Sequence, residues 1–199
     1  MRGCGESLLR RWALKGLVDV ALIQEHFKSD DSPLFNLFGP DWWNISSGAI
    51  GKKKGRKSGG CAIYIQPCLS SAEGFQHPGG RVCGLFTSGG LLINSYFPTR
   101  HRQPVEAYNL HFKEFVLDLT KYIEKVLLEH PISWIVCGDD LKAHFIGTGI
   151  PPRRSDDYAA KQIRSFMRRF KLISMASGLC PNRYTYLNSR GGVSCIDIF

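Results

Sequence analysis

Apolar positions along this chain follow two periods, and the changes between them predict the secondary structure. Helical spacing over residues 6–17, 104–130 and 155–171 predicts three helices with one apolar stripe each. Short apolar runs bounded by Gly and Pro predict strands at residues 18–23, 61–66, 81–87, 91–96 and 133–137. Helices and strands therefore alternate, which is typical of an α/β protein.

The remaining segments are turns, loops and two short strands. Residues 27–60 are rich in turn formers and predict a long loop, whereas Gly89 and Gly90 predict a tight hairpin between two strands. Short strands are expected at residues 184–187 and 194–199. Since no repeat or linker interrupts the pattern, we expect a single domain that covers residues 1–199.

Composition narrows the class of partner. The 199 residues are 43% hydrophobic and 22% charged, as in a globular protein, and the formal net charge is +9. A positive excess of this size favours polyanions, nucleic acid first, because neutralised phosphates release counterions. We therefore expect a nucleic acid as the partner class.

Cysteine usage and hydropathy indicate the compartment. The seven cysteines are an odd number and show no Cys-x-x-Cys spacing, which is typical of buried thiols in a reducing environment. The first nine residues are too polar for a signal peptide, and no apolar stretch approaches the roughly 18–20 residues that cross a bilayer. We expect an intracellular protein, nuclear or cytoplasmic, that does not enter the membrane.

Candidate chemistry begins where the strand at residues 134–137 meets Gly138, Asp139 and Asp140. This tripeptide fits a plain turn, but strand ends are also where α/β proteins place polar catalytic groups. A basic run follows residue 51 and fits either phosphate contact or a solvated charged loop. Its cations are Lys52, Lys53, Lys54, Arg56 and Lys57.

Four motifs in a fixed order suggest a family. The segments VDVALIQE (18–25), INSYFP (93–98), GDDLKAH (138–144) and SCID (194–197) together resemble the endonuclease/exonuclease/phosphatase superfamily, which has the DNase I-like fold. The segments GGCAI (59–63) and PNRYTY (181–186) look most like the endonuclease domain of LINE-type retrotransposon polyproteins. The resemblance covers nearly the whole chain.

The resemblance implies a fold and an activity. The fold would be a four-layer α/β sandwich of two packed, mostly antiparallel sheets flanked by helices. The activity would be that of an endonuclease that hydrolyses DNA phosphodiesters with Mg²⁺ or Mn²⁺. A reverse transcriptase domain would lie in the same parent polyprotein.

The resemblance also implies roles for individual residues. Glu25 matches the metal ligand, and Tyr96 matches the tyrosine that hydrogen-bonds the scissile phosphate. Asp197 matches the aspartate that orients the catalytic histidine. The family motif Gly-Asp-x-Asn-Ala-His fits with Asp140 as catalytic aspartate and Lys142 in the Asn position, or with Asp139 and Leu141. We prefer the first because it needs no insertion.

The chain also departs from the family pattern. Lys142 can donate to a phosphate but, unlike Asn, cannot accept a hydrogen bond. Counterparts of the family's first strand and of its C-terminal Ser-Asp-His segment are missing, so we expect a domain that is incomplete at both ends and impaired in activity. Two alternatives stay open, a catalytically inactive remnant that binds nucleic acid and a phosphatase or phosphodiesterase of inositol phosphates or lipids, which the charge disfavours.

Overall fold

The computed structural model describes residues 4–26, 37–49, 59–77, 80–100, 103–140, 157–173, 186–187 and 193–194. Its helices are α1 (Cys4–Leu14), α2 (Val105–Glu129) and α3 (Tyr158–Arg169). The strands are β1 (Val20–Gln24), β2 (Trp43–Ser47), β3 (Cys61–Ile65), β4 (Ser70–Gln76), β5 (Val82–Thr87), β6 (Gly90–Tyr96), β7 (Trp134–Asp140), β8 (Tyr186–Leu187) and β9 (Val193–Ser194).

The chain forms two compact units. The first contains Met1–Tyr96 and Ile132–Gly138, and the second contains Phe97–Pro131 and Asp139–Phe199.

One sheet of the first unit has the strand order β1-β3-β2, with both pairings antiparallel. Its central strand β3 is buried along its whole length, because both faces of the sheet are covered. Tyr64 points into an apolar cluster with Phe38 and Ile23, to which Ala13 of α1 also contributes. The opposite face, which carries Ile63, belongs to a different cluster.

That second cluster lies between the two sheets of the first unit. Ile63 and Ile65 of β3 pack with Leu85 of β5 and Leu92 of β6. The strand order of the other sheet is β4-β5-β6-β7, and the β4–β5 and β5–β6 pairings are antiparallel. Burial of apolar residues between two facing sheets is the main favourable contribution to such a core.

The second unit contains α2 and α3. Buried residues recur on α2 at spacings of three and four, the period that keeps side chains on one helical face. They are Tyr108, Phe112, Val116, Leu119, Ile123 and Val126. The buried stripe of α3 (Ala159, Ala160, Ile163 and Phe166) has the same spacing. Asp157 caps α3, because its side chain accepts a hydrogen bond from the Ala160 amide at 2.8 Å.

Several predicted elements are confirmed. The hairpin through Gly89 joins β5 to β6, and α2 begins and ends within one residue of its predicted span. The β8–β9 pairing is antiparallel, as expected for strands that flank a turn. Helix α1 is shorter than predicted, because Gly16 adopts a left-handed backbone with φ 64° and ends the helix at Leu14.

Two strands of the structure were not predicted, and a third is longer than predicted. Strand β2 lies within the predicted loop 27–60, and β4 was not predicted, because each has only two apolar residues in its sequence, WNISS or SSAEGFQ. Both are stabilised by pairing with a buried neighbour. Strand β7 continues through Gly138 to Asp140, so the interpretation of Gly138–Asp139–Asp140 as a turn is wrong.

Candidate active site

Glu25 follows the last residue of β1 and has an unusual backbone conformation. Its φ is 54°, the left-handed region that costs a residue with a side chain about 1–3 kcal/mol. Strained backbones of this kind cluster at functional sites, where the surrounding structure holds them in place. The first unit therefore fixes this carboxylate at a strand end.

Tyr96 holds the Glu25 side chain. The Tyr96 hydroxyl donates a hydrogen bond to Oε1 of Glu25 at 2.6 Å, across 71 positions of the sequence. Tyr96 is the last residue of β6 and is only 2% exposed. The structure thus brings together two of the predicted site residues within one unit.

A buried amide network supports this pair. Asn94 is fully buried, and its Nδ2 donates to the carbonyl oxygens of Ile23 at 2.9 Å and Ala62 at 2.8 Å. Its Oδ1 accepts from Nε2 of Gln24 at 2.5 Å, and the same nitrogen also donates to the Gly138 carbonyl at 3.2 Å. The network links β1, β3, β6 and β7 next to Glu25.

Gly138 is a close-packed position on β7. A Cβ atom there would overlap Cδ1 of Leu22, so any residue other than glycine would require the Leu22 side chain to move. Leu22 contacts the apolar cluster between the two sheets. The glycine of the Gly-Asp-Asp sequence therefore has a packing role in β7.

The two candidate aspartates are consecutive residues at the end of β7. Asp139 is 6% exposed and lies on the face of the buried Cys137. Asp140 is the last residue of the strand, and its side chain lies outside the described part of the structure. Lys142, Asp197 and the basic run with Lys52, Lys53, Lys54, Arg56 and Lys57 also lie outside the described residues.

The two ends of the connection from β2 to β3 lie beside His26 and Tyr96. Nε2 of His26 lies 3.1 Å from the carbonyl oxygen of Ser47, the last residue of β2. At the other end of the connection, a Cβ on Gly60 would overlap the His26 ring, and one on Gly59 would lie 3.3 Å from Cδ1 of Tyr96. Both glycines have a positive φ, which is 78° at Gly59 and 88° at Gly60.

Sequence reasoning missed Arg81 as a neighbour of the pair. The guanidinium carbon of Arg81 lies 5.3 Å from the centroid of the Tyr96 ring. The signal was present in the hairpin, because a two-residue loop pairs Thr87 with Gly90 and so places Arg81 opposite Tyr96. His26, directly after Glu25, was missed as well.

The described residues suit a metal ion held by few protein ligands. Mg²⁺ prefers one or two carboxylates and keeps several waters, so the fixed carboxylate of Glu25 fits it. Among the described residues, no group of three or more His, Cys, Asp or Glu side chains could hold a metal ion by itself. A zinc-type cluster is therefore not present in that part of the chain.

The two facing sheets and the polar strand ends define a DNase I-like α/β fold, which confirms the predicted fold class. The chain is similar to AP endonuclease LMAP from Leishmania major, with a TM-score of 0.70 and 17% identity over 97% of this chain and 72% of that one. It is also similar to truncated Caenorhabditis elegans TDP2 (TM-score 0.57, 13% identity, 97% of this chain and 74% of that one). It is similar as well to the human Nocturnin catalytic domain with bound sulfate anion, with a TM-score of 0.58 and 12% identity over 97% of this chain and 72% of that one.

At these identities the likeness shows a shared fold. No family model matches the sequence, and no curated protein matches it significantly. Within the described ranges, none of the helices has the length and apolar character needed to span a membrane.

Proposed function

We propose that this chain is a metal-dependent phosphodiester hydrolase of DNA, an endonuclease domain of the LINE retrotransposon type. The observation that carries the proposal is the hydrogen bond of 2.6 Å between Tyr96 and the strained Glu25. The fold shared with an AP endonuclease and the net charge of +9 support a nucleic-acid substrate. In such an element, a reverse transcriptase domain would belong to the same polyprotein.

Glu25 and Tyr96 have different roles in this proposal. Glu25 would hold Mg²⁺ or Mn²⁺, which supplies Lewis-acid stabilisation of a phosphate when bound. Tyr96 orients the Glu25 carboxylate and places a phenolic donor at the same strand end. The amide network of Gln24 and Asn94 keeps both strand ends in register, so that the carboxylate and the phenol stay preorganised.

Further roles rest on the sequence motifs. Asp140 would activate the attacking water, and Lys142 would bind a phosphate oxygen as a point charge. Asp197 would orient a proton-transferring partner.

The basic run would contact DNA phosphates. Lys52, Lys53, Lys54, Arg56 and Lys57 all belong to the β2–β3 connection, whose two ends lie beside His26 and Tyr96. The chain therefore tethers five cations to the strand ends that carry the candidate site.

The direct test is nicking of supercoiled plasmid with Mg²⁺ or Mn²⁺ and with an EDTA control. Glu25→Gln keeps the size and an acceptor oxygen but removes the charge, so we expect at least a ~100-fold loss of nicking. Glu73→Gln is the matched control on the exposed side of β4 and should nick at the wild-type rate. Equal rates for both variants would rule out Glu25 as the metal ligand.

A second pair of variants decides between the two motif registers. We expect Asp140→Asn to abolish metal-dependent nicking, while Asp139→Asn lowers the free energy of unfolding because Asp139 is buried. The opposite result, with loss of nicking in a stable Asp139→Asn protein, would assign the catalytic role to Asp139.

One observation favours a second candidate function. Lys142 stands where the family has Asn, and a lysine cannot orient water by accepting a hydrogen bond. The chain would then be an inactive protein that binds nucleic acid through its basic surface. Absence of nicking together with salt-sensitive DNA binding would support this alternative.

A further inference from the structure

Arg81 and Tyr96 are cross-strand neighbours at the open end of the β5–β6 hairpin. The backbone amide of Tyr96 donates to the Arg81 carbonyl at 2.9 Å, one residue beyond the pairing of Val82 with Ser95. The Arg81 side chain turns onto the tyrosine, with its guanidinium carbon 5.3 Å from the ring centroid. This distance is within the range of a cation–π interaction.

The surroundings of Arg81 disfavour its positive charge, because part of the guanidinium is removed from water. Its Nη1 atom is buried and has no hydrogen-bond partner within the described residues. Burial lowers the pKa of Arg81 from its ordinary value, and the neighbouring Tyr96 acts in the opposite direction. The Tyr96 ring offsets part of this cost, because a cation over an aromatic face is attracted to the ring.

The Tyr96 ring is restrained by two groups. Gly59 lies against its edge, where a Cβ would come within 3.3 Å of Cδ1, and Arg81 lies over the ring. The direction of the phenolic O–H follows from the orientation of the ring. With the ring held, the hydroxyl reaches Oε1 of Glu25 at 2.6 Å.

We infer that Arg81 is a positioning residue, which holds the Tyr96 ring so that its hydroxyl orients the Glu25 carboxylate. This role rests on the proposed phosphodiester hydrolysis, since it acts on the two residues that carry it. A direct contact between Arg81 and a DNA phosphate through its other nitrogen atoms is the competing role, since it is the Nη1 atom that is without exposed surface.

The first measurement uses the full chain labelled with 3-fluorotyrosine and requires no activity. The Tyr96 resonance among the seven tyrosines is the ¹⁹F signal that disappears in Tyr96→Phe. We expect Arg81→Met to shift and broaden this signal, because the ring loses its restraint, and Arg81→Lys to restore it in part. Arg11→Met, which removes an exposed arginine of α1, should leave it unchanged.

The second measurement is steady-state nicking of plasmid DNA. A positioning role predicts that Arg81→Met lowers kcat about 10-fold and leaves KM and the salt dependence of DNA binding within about 2-fold. In the Tyr96→Phe background, Arg81→Met should have no further effect, because the hydroxyl that it positions is gone. A raised KM with a smaller salt slope would overturn the inference in favour of a phosphate contact.

The two measurements separate failure of the inference from failure of the proposed function. A Tyr96 ¹⁹F signal that is the same in folded Arg81→Met and wild type overturns the inference, whatever the nicking rates. An inactive wild-type chain overturns the proposed function, and the ¹⁹F signal then decides the positioning role alone. If Arg81→Met does not show a cooperative melt, Arg81→Lys decides, since it keeps the charge and loses the planar group.

Discussion

At the scale of single residues, long-range polar contacts set the geometry of the strand ends. Asn94 is two residues before Tyr96 on β6, yet its amide satisfies carbonyl groups on both β1 and β3. The strained backbone of Glu25 lies next to Gln24, which belongs to the same network. Strain at one residue is therefore held by the hydrogen bonds of its neighbours.

Replacing Asn94 with leucine tests this network. Asn94→Leu keeps a similar volume but leaves the carbonyls of Ile23 and Ala62 and the amide of Gln24 without this partner. We expect the free energy of unfolding to fall by about 3 kcal/mol, measured by urea denaturation. Asn109→Leu is the control, since the described structure gives that half-buried side chain on α2 no hydrogen bond, and it should change stability by less than about 0.5 kcal/mol. Similar losses in both variants would contradict a structural role specific to Asn94.

Tyr108 gives the folded state a dependence on alkaline pH. Burial and, to a smaller extent, the Asp157 carboxylate raise the pKa of Tyr108 to about 12, and Arg100 acts in the opposite direction. A raised phenol pKa contributes stability that is fully present below the unfolded value near ~10 and is lost as the pH rises to about 12. Because solvent partly screens the group, we expect wild type to lose about 1 kcal/mol more than Tyr108→Phe over this interval.

The measurement is urea unfolding of both proteins at the two ends of that pH interval. Subtracting Tyr108→Phe from wild type removes the titration that the two proteins share. Tyr122→Phe is the comparison variant, because burial and Glu129 also raise the pKa of Tyr122. Parallel stability curves for wild type and Tyr108→Phe would contradict the assignment.

At the scale of elements, α1 and α3 end in the same way with different residues. In α1, the amide of Leu17 donates to the Trp12 carbonyl at 3.0 Å, with Gly16 in the left-handed conformation. In α3, the amide of Leu172 donates to the Met167 carbonyl at 2.8 Å, and Lys171 takes the position of the glycine at φ 54°. Both ends are Schellman motifs, but only that of α1 has the residue that suits it.

Glycine at position 171 should therefore stabilise the protein. We expect Lys171→Gly to raise the free energy of unfolding by about 0.5–1 kcal/mol, because it removes the steric cost of a Cβ in the left-handed region. Lys161→Gly, at an exposed position inside α3, is the matched control and should cost about 1 kcal/mol. Thermal unfolding measures both. A loss of stability in both variants would show that the backbone at residue 171 is not strained.

At the scale of the whole molecule, the net charge of +9 favours nucleic-acid binding in general, so the position of the cations decides which surface binds. Exposed cations also occur on the three helices, so a general attraction to DNA does not identify a binding surface. The β2–β3 connection differs from them because its ends lie beside His26 and Tyr96. We therefore expect its cations to contribute more to the affinity for DNA than the same number of cations on the helices.

Neutralisation of two sets of five residues separates these possibilities. Alanine at Lys52, Lys53, Lys54, Arg56 and Lys57 should lower the slope of log affinity against log salt by up to about 4. The control protein carries the same number of alanines on the helices or directly after them and should show a smaller change; its positions are Arg11, Lys15, Lys113, Lys121 and Lys161. Equal slopes for the two proteins, measured by fluorescence anisotropy with duplex DNA, would contradict a specific role for the connection.

The sequence by itself determined the elements whose side chains carry their own signal. The buried strands β1, β3, β5 and β6 and the helix α2 could be predicted, because continuous apolar runs and a helical stripe reflect burial of the same segment. The motif order also predicted the DNase I-like fold. The same resemblance named Glu25 and Tyr96 as candidate site residues, but it did not predict the hydrogen bond between them.

Only the tertiary structure decided the features that depend on contacts between distant segments. Strands β2 and β4 form because buried neighbours offer them unpaired backbone groups, which no local pattern records. The left-handed backbone of Glu25, the Asn94 network and the position of Arg81 over Tyr96 likewise depend on strands brought together from far apart in the sequence. Periodicity reports whether a segment is buried, whereas the partner of each polar atom is set by packing.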